Sequence, residues 1–250
     1  MSLLPTIRLL AIALLAALAA GCVSDTTSGI SITDRSVFIP SGRFAVDISP
    51  KGETPSHPHS SHGIELGLSG GSGDDTQGLA SGALPVVFGG QTFSTTPVTL
   101  AHEFDFRFYE IAYRYRKFFG STQVFGIEAL GGLAYADLDL TVASPGQRAS
   151  ESLQSGGIVG GFGVVWKFRP STSLQSRIMF FGSGDDEGVT YASRLDVYVA
   201  QAIGRHAALR AGFAGWNVRS ERDYYDVSPS LLSTIRVRFS GPALGLDLMF

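Results

Sequence analysis

Several kinds of side chain are scarce in this chain of 250 residues, and each shortage excludes a class of protein. The single cysteine, Cys22, excludes an intramolecular disulfide framework. Charged residues make up 16% of the chain and the net charge is −3, so the sequence lacks the basic stripe that nucleic-acid binding requires. Only three lysines occur, Lys51, Lys117 and Lys167, and so few charges suit a surface that faces lipid.

Long apolar runs are also rare, and the clearest one lies near the amino end. Leu9 to Ala20 is an unbroken apolar run, which at about twelve residues is too short for a membrane helix of about twenty. Arg8 precedes the run and small residues follow it. This pattern predicts a signal peptide over residues 1–21, so the protein is expected to be exported.

The segment Leu18-Ala19-Ala20-Gly21-Cys22 resembles the bacterial lipobox. In that motif, small residues precede a cysteine that is acylated and becomes the mature amino terminus. The resemblance implies a lipid anchor on Cys22, which would explain an unpaired thiol in an oxidising compartment. The alternative is an ordinary signal peptide with a cysteine near the cleavage site.

Residues 22–62 are rich in Ser, Thr, Pro and Gly, and this composition predicts a flexible, lipid-anchored tether. Apolar patches around Phe38 and Ala45 favour one short strand or plug segment within it. His57, His59 and His62 place three imidazoles within six residues. Because no nearby Asp, Glu or Cys completes a coordination sphere, we expect no metal site there.

Glycine and aromatic residues are abundant, with 31 Gly, 17 Phe and 8 Tyr, as crowded and twisted strands require. From Ile64 onward, polar and apolar residues alternate at period two, which predicts β-strands. Long connections are expected over 71–98, 138–153, 182–188 and 219–228, alternating with three short turns. The eight predicted strands cover 64–70, 100–119, 123–137, 156–168, 174–181, 191–203, 209–218 and 235–250.

The apolar parity changes within two of these strands. Phe104, Phe106 and Phe108 share one parity, whereas Ile111 and Tyr113 share the other. A similar change falls between 239 and 244. A β-bulge shifts the parity by one residue, so we predict bulges near 109–110 and at 241–242.

The last strand places Leu244, Leu246, Leu248 and Phe250 on one face. This pattern resembles the final strand of bacterial outer-membrane β-barrels, which the barrel assembly machinery reads as a signal. The expected fold is therefore all-β, an eight-stranded antiparallel up-and-down transmembrane β-barrel over residues 63–250, similar to the OmpA/OmpX type. The implied location is the outer membrane of a Gram-negative-type envelope, with membrane lipid as a partner. A soluble, lipid-tethered periplasmic β-barrel or sandwich also alternates, and it remains the competing interpretation.

If the apolar faces meet lipid, the other faces carry their charges into the lumen. An eight-stranded barrel is narrow enough to be filled by side chains, so the charges should pair and close it. A narrow channel for small molecules is the alternative. The predicted polar cluster consists of Glu65, Glu128, Lys167, Arg177, Arg194, Asp196, Arg210 and Asp247, with Arg114 and Arg116 near the periplasmic end of the lumen.

Catalytic groupings are not evident. Lipid A deacylases, which also use small barrels, carry a His-x-Ser pair on a strand, but here that spacing occurs only at His59 and Ser61, in the expected tether. No grouping resembles the His, Asp and Ser of palmitoyl transferases. We expect a monomeric, non-enzymatic protein without a cofactor, structural or binding an unknown surface ligand through external loops. The acidic loop candidates are 73–75, 185–187 and 221–226.

Overall fold

The computed structural model describes residues 29–38, 40–50, 59–79, 86–93, 98–120, 122–185, 188–224 and 231–250. The signal peptide, Cys22 and His57 lie outside these residues. Twelve strands occur within the described part of the chain. They are β1 (Gly29–Phe38), β2 (Ser41–Ile48), β3 (Ser60–Leu79), β4 (Val86–Phe88), β5 (Gln91–Phe93), β6 (Val98–Phe119), β7 (Phe125–Ser144), β8 (Gln147–Arg169), β9 (Thr172–Asp185), β10 (Gly188–Ala202), β11 (Ala207–Tyr224) and β12 (Leu231–Met249).

Nine strands form an up-and-down antiparallel sheet that closes into a ring, in the order β2, β3 and then β6 to β12. Strand β2 closes the ring because it pairs with β3 on one side and with β12 on the other. Adjacent strands alternate in direction, so a ring with an odd number of strands must contain one parallel pair. That pair is β2–β12. Strand β1 also runs parallel to β12. It pairs with β12 over residues 234–240, whereas β2 pairs with β12 over residues 243–249.

The expectation of eight strands is therefore wrong by one. The additional strand, β2, lies within the segment 22–62, which was expected to be a tether with one short strand or plug segment and not to join the ring. It alternates as the others do: Arg43, Ala45 and Asp47 are buried inside the ring, whereas Phe44 and Ile48 are exposed outside. The strand is only eight residues long and is flanked by Ser, Pro and Gly, so its composition hid this alternation.

The two ends of the ring differ. The lower end carries Phe250 and the connections 120–124, 170–171 and 203–206. The upper end carries the separate hairpin β4–β5, whose turn residues Gly89 and Gly90 both have the positive φ that a type I′ turn requires. Strand β1 runs in the direction of β12. Gly29 therefore lies at the upper end, opposite Phe250.

Most strands extend further toward the upper end than the strand ranges predicted from the sequence. Strands β7 and β8 continue to a two-residue turn at Pro145-Gly146, where a long connection over 138–153 was expected. Leu138, Leu140 and Val142 fill the interior along this extension. The acidic stretch 73–75 belongs to β3, residue 185 to β9 and residues 221–224 to β11. Most of the expected loop residues are thus paired strand residues, and 186–187 and 225–230 lie outside the described residues.

Neither predicted β-bulge is present. The pairing of β6 with β3 and β7 runs without a register shift through 109–110, and β12 pairs with β11 without a shift through 241–242. Phe108 and Glu110 both point inward, and so do Phe239 and Ala243. The apolar parity changes because the interior itself changes, from apolar in the upper half to charged in the lower half. We call this change the polarity inversion.

An apolar core fills the upper half of the ring. The rings of Phe106 and Phe239 lie 4.8 Å apart between centroids, and Trp216 lies 5.3 Å from Phe106. Phe88 and Phe93 of the hairpin are completely buried in the same core. Each such side chain contributes about 1.5–3 kcal/mol by leaving water, so the upper half is stabilised as a soluble protein is.

Glycine at position 132 is required by the close approach of two strands. A Cβ atom on Gly132 would lie 2.0 Å from the carbonyl oxygen of Ile111, whereas a Cβ atom on Gly131 would meet no atom within 4 Å. We expect Gly132→Ala to lower the free energy of unfolding by about 1–3 kcal/mol, as overpacking does. Urea unfolding followed by tryptophan fluorescence measures the change. Gly131→Ala is the control and should stay within about 0.5 kcal/mol of the parent; equal effects of the two substitutions would contradict the packing described.

Candidate functional site

The outer surface of the lower half is apolar and exposed on every strand of the ring. Ile158 is 71% exposed and Phe213 is 68% exposed. Contiguous apolar surface on this scale marks a site of contact with lipid or protein. We define the apolar belt as the outward side chains of 44–48, 64–68, 109–119, 125–135, 158–168, 174–180, 191–203, 209–213 and 244–250.

The belt is about half as tall as the strands. On β6 it extends from Tyr109 to Phe119, on β7 from Phe125 to Tyr135, and on β8 from Ile158 to Phe168. These three strands are 22, 20 and 23 residues long, respectively. A tilted strand needs about nine to eleven residues to cross the hydrocarbon core of a bilayer, and each of these belt segments provides that length.

Charged residues replace the belt on the outer surface of the upper half. The guanidinium of Arg148 lies 3.1 Å from the carboxylate of Glu103, and Arg107 lies 3.2 Å from Asp105. All four side chains are substantially exposed. This part of the surface has the polar character that contact with water favours, so the outside inverts its polarity at the level where the inside does.

Paired charges fill the interior of the lower half. Six arginines and six carboxylates are buried there, so their formal charges cancel. Burying unpaired ions is strongly unfavourable, and an equal number of opposite charges in contact offsets that cost. We call this set the ion network: Arg43, Arg114, Arg116, Arg177, Arg194, Arg210, Asp47, Glu65, Glu110, Glu128, Asp196 and Asp247.

Glu65 is the centre of the ion network. Its carboxylate accepts hydrogen bonds from Arg114 at 2.6 Å, from Arg177 at 2.5 Å and from Arg210 at 3.3 Å, and it also pairs with Arg43. The four arginines come from β6, β9, β11 and β2, which surround the interior. One carboxylate therefore connects five of the nine strands of the ring.

Further pairs connect β7, β10 and β12 to this centre. Arg114 contacts Asp47 at 2.5 Å and Asp247 at 3.1 Å, and so joins β6 to the two parallel strands. Arg43 lies 3.1 Å from Asp196 of β10. In a separate contact, Arg116 of β6 donates to Glu128 of β7 at 2.5 Å. The network crosses the ring in several directions and fills it.

Seven of the eight residues in the predicted polar cluster join the ion network, as do Arg114 and Arg116, and Lys167 does not. The ammonium of Lys167 lies 3.9 Å from the centroid of the Phe118 ring, below the network. Sequence reasoning missed Arg43, Asp47 and Glu110. Arg43 and Asp47 alternate with apolar residues in β2, and this alternation could have identified them. The bulge expected near 109–110 left undefined the face to which the Glu110 side chain belongs.

The carboxyl-terminal side chains lie on the outside of the ring. Leu244 and Phe250 are exposed on the apolar belt, and Leu246 and Leu248 are half-buried beside them. The ring of Phe250 stacks against His206 with centroids 6.1 Å apart. The terminal strand is thus part of the same outer surface as its neighbours.

The histidines form no metal centre within the described residues, where no group of three or more His, Cys, Asp or Glu side chains could hold an ion. His62 faces outward and hydrogen-bonds the hydroxyl of Tyr113. His102 is buried above the belt, and this burial lowers its pKa, although Asp75 opposes the shift. The described chain also contains no helix long and apolar enough to cross a membrane.

Comparisons of the chain with protein-family models, curated proteins and solved structures give no match.

Removal of one charge from the centre of the ion network should lower the stability of the fold. Glu65→Gln keeps the shape of the side chain but leaves four arginines without their shared carboxylate, so we expect the free energy of unfolding to fall by about 3–5 kcal/mol. Guanidinium chloride unfolding measures this loss. Glu103→Gln, which removes an exposed partner of Arg148, should cost less than about 1 kcal/mol. Similar losses for the two variants would show that the network adds no stability.

Proposed function

We propose that this chain is a non-enzymatic outer-membrane β-barrel protein, with a structural or surface-binding role. Its lower half spans lipid and its upper half projects into water. The polarity inversion carries the proposal, because lipid selects an apolar exterior and water selects a polar one. Both kinds of exterior occur along the same strands, one directly above the other.

The closed sheet and the height of the belt support the membrane assignment. Every backbone polar group in hydrocarbon needs a partner, and strands can provide this only in a closed sheet. A strand of eleven residues at a tilt of about 45° rises about 26 Å, close to the apolar band of about 25 Å in outer-membrane barrels. A soluble, tethered β-domain is the weaker alternative, because no described segment covers the belt.

The filled interior supports a structural or binding role rather than a channel. The ion network occupies the lower half, and the aromatic core with the β4–β5 hairpin occupies the upper half. A cavity of about 70 Å³ lies at the lower end. A surface ligand would meet the upper half, whose charged strand extensions include Glu103, Arg107 and Arg148.

The membrane assignment predicts that an added charge has opposite consequences on the two parts of β8. Phe162 and Ser152 both point outward, ten residues apart, with Phe162 in the middle of the belt and Ser152 above it. Phe162→Arg should cost about 2–4 kcal/mol in a bilayer, whereas Ser152→Arg should be nearly neutral.

The measurement is the amount of folded protein in outer membranes, detected by a shift in SDS-gel mobility on boiling. We expect the parent protein and Ser152→Arg to shift, and Phe162→Arg to give much less folded protein. A parent protein that shows no shift and is released from membranes by carbonate would overturn the membrane assignment.

The direction of β1 gives this proposal a sidedness. Gly29 lies at the upper end, and Cys22 precedes it by seven residues, which span at most about 25 Å. Acylation of Cys22 would then place the lipid in the leaflet nearest the upper half. We infer that the lipid anchor lies at the upper end of the barrel, which faces the outside of the cell in this arrangement.

A peptide tag inserted between Thr26 and Thr27 tests this sidedness. We expect antibody to label the tag on intact cells that carry the folded protein, because the upper end faces outward in this arrangement. A tag inserted in the lower connection at 204–205 is the control and should be labelled only after the outer membrane is permeabilised. The opposite pattern would reverse the orientation while leaving the barrel itself intact.

A further inference from the structure

A cavity of about 70 Å³ lies at the lower end of the ring, below the ion network. Its wall includes Asp47, Arg116, Lys167, Gln175 and Asp247, together with the turn 170–173. A buried water occupies about 10–15 Å³ on this measure of volume, so the cavity has room for about five waters or one small polyatomic ion.

The charge balance around this cavity is uneven. The six arginines and six carboxylates of the ion network cancel, and Lys167 adds one further positive charge. The ammonium nitrogen of Lys167 is inaccessible to solvent and has no hydrogen-bond partner among the described residues. A buried ammonium that makes no hydrogen bond is unfavourable, so an anion or ordered water beside Lys167 would stabilise its charged form.

The carboxylates on the cavity wall are already engaged by arginines. Asp47 lies 2.5 Å from Arg114, and Asp247 lies 2.8 Å from Arg210 and 3.1 Å from Arg114. Arg116 also approaches both acids, at 3.5 Å and 3.7 Å. A carboxylate that compensated Lys167 would have to leave these contacts and expose another buried cation to the same cost.

We propose that the lower cavity is a binding site for a small oxyanion, a carboxylate or a phosphate, with Lys167 as its principal contact. The cation above the Phe118 ring supplies the charge, and Ser171, Ser173 and Gln175 line the same space with polar groups. A hydrogen bond from an ammonium to an oxyanion is among the stronger polar contacts in proteins. The site depends on the geometry of the ring alone, so it stands whether or not the protein spans a membrane.

The test is an NMR titration of the full mature protein labelled with ¹⁵N. Sodium phosphate and sodium acetate are added separately at constant ionic strength, with sodium chloride as the balancing salt, and the amide signals of 171–175 are followed. We expect saturable shifts with at least one of the two anions. The anion that saturates distinguishes a phosphate site from a carboxylate site.

Two matched variants locate the effect. Lys167→Met should weaken binding about tenfold or more, because it removes the charge and keeps the length of the side chain. Lys117→Met removes an exposed lysine from the outside of the ring and should leave binding unchanged. If Lys167→Met does not give the dispersed spectrum of the folded protein, Lys167→Gln replaces it.

Three results would overturn the proposal. They are the absence of saturation with either anion, unchanged affinity after Lys167 is replaced, and identical shifts with chloride alone. The titration needs only folded protein, in detergent or in water. Failure of the membrane assignment and failure of the anion site are therefore separate outcomes.

Discussion

Closure of the sheet by β2 is the constraint on which the other features depend. Without β2, strands β3 and β12 would each have an unpaired edge along their lower halves, where the exterior is apolar. The same strand supplies Arg43 and Asp47 to the interior. Because β2 makes the number of strands odd, it also places the two ends of the described chain at opposite ends of the ring. One short segment thus determines closure, part of the charge balance and sidedness.

The closed ring makes the burial of twelve charges possible. An isolated buried ion would be expelled or neutralised, but a narrow ring brings side chains from opposite strands within reach of one another. Glu65 contacts arginines from four other strands in this way. The apolar core above the network needs no such matching, since its side chains are stabilised by leaving water. The two halves of the interior therefore exclude water by different means.

The polarity inversion links the interior to the surroundings. In the upper half, aromatic residues point inward and charged residues outward, as in a soluble protein; in the lower half, both directions are reversed. A uniform solvent would not favour two opposite exteriors on the same strands. The proposed function follows from this point, because a boundary between lipid and water would favour both exteriors on the same strands.

The sequence by itself determined the strand type and the two faces of each strand, because side chains alternate at period two whatever the partners are. It also predicted that eight polar residues lie on inward faces, and all eight do, with Lys167 in the wall of the lower cavity. It did not determine which face of a strand is inward along its whole length, since that depends on the environment at each height. For this reason the sequence predicts bulges at 109–110 and 241–242 and a long connection over 138–153, where the strands in fact continue. Only the tertiary structure decided that β2 joins the ring, and which arginines share Glu65. Those contacts join residues 22 to 145 positions apart, and pairing at such distances follows from closure of the sheet rather than from any local pattern.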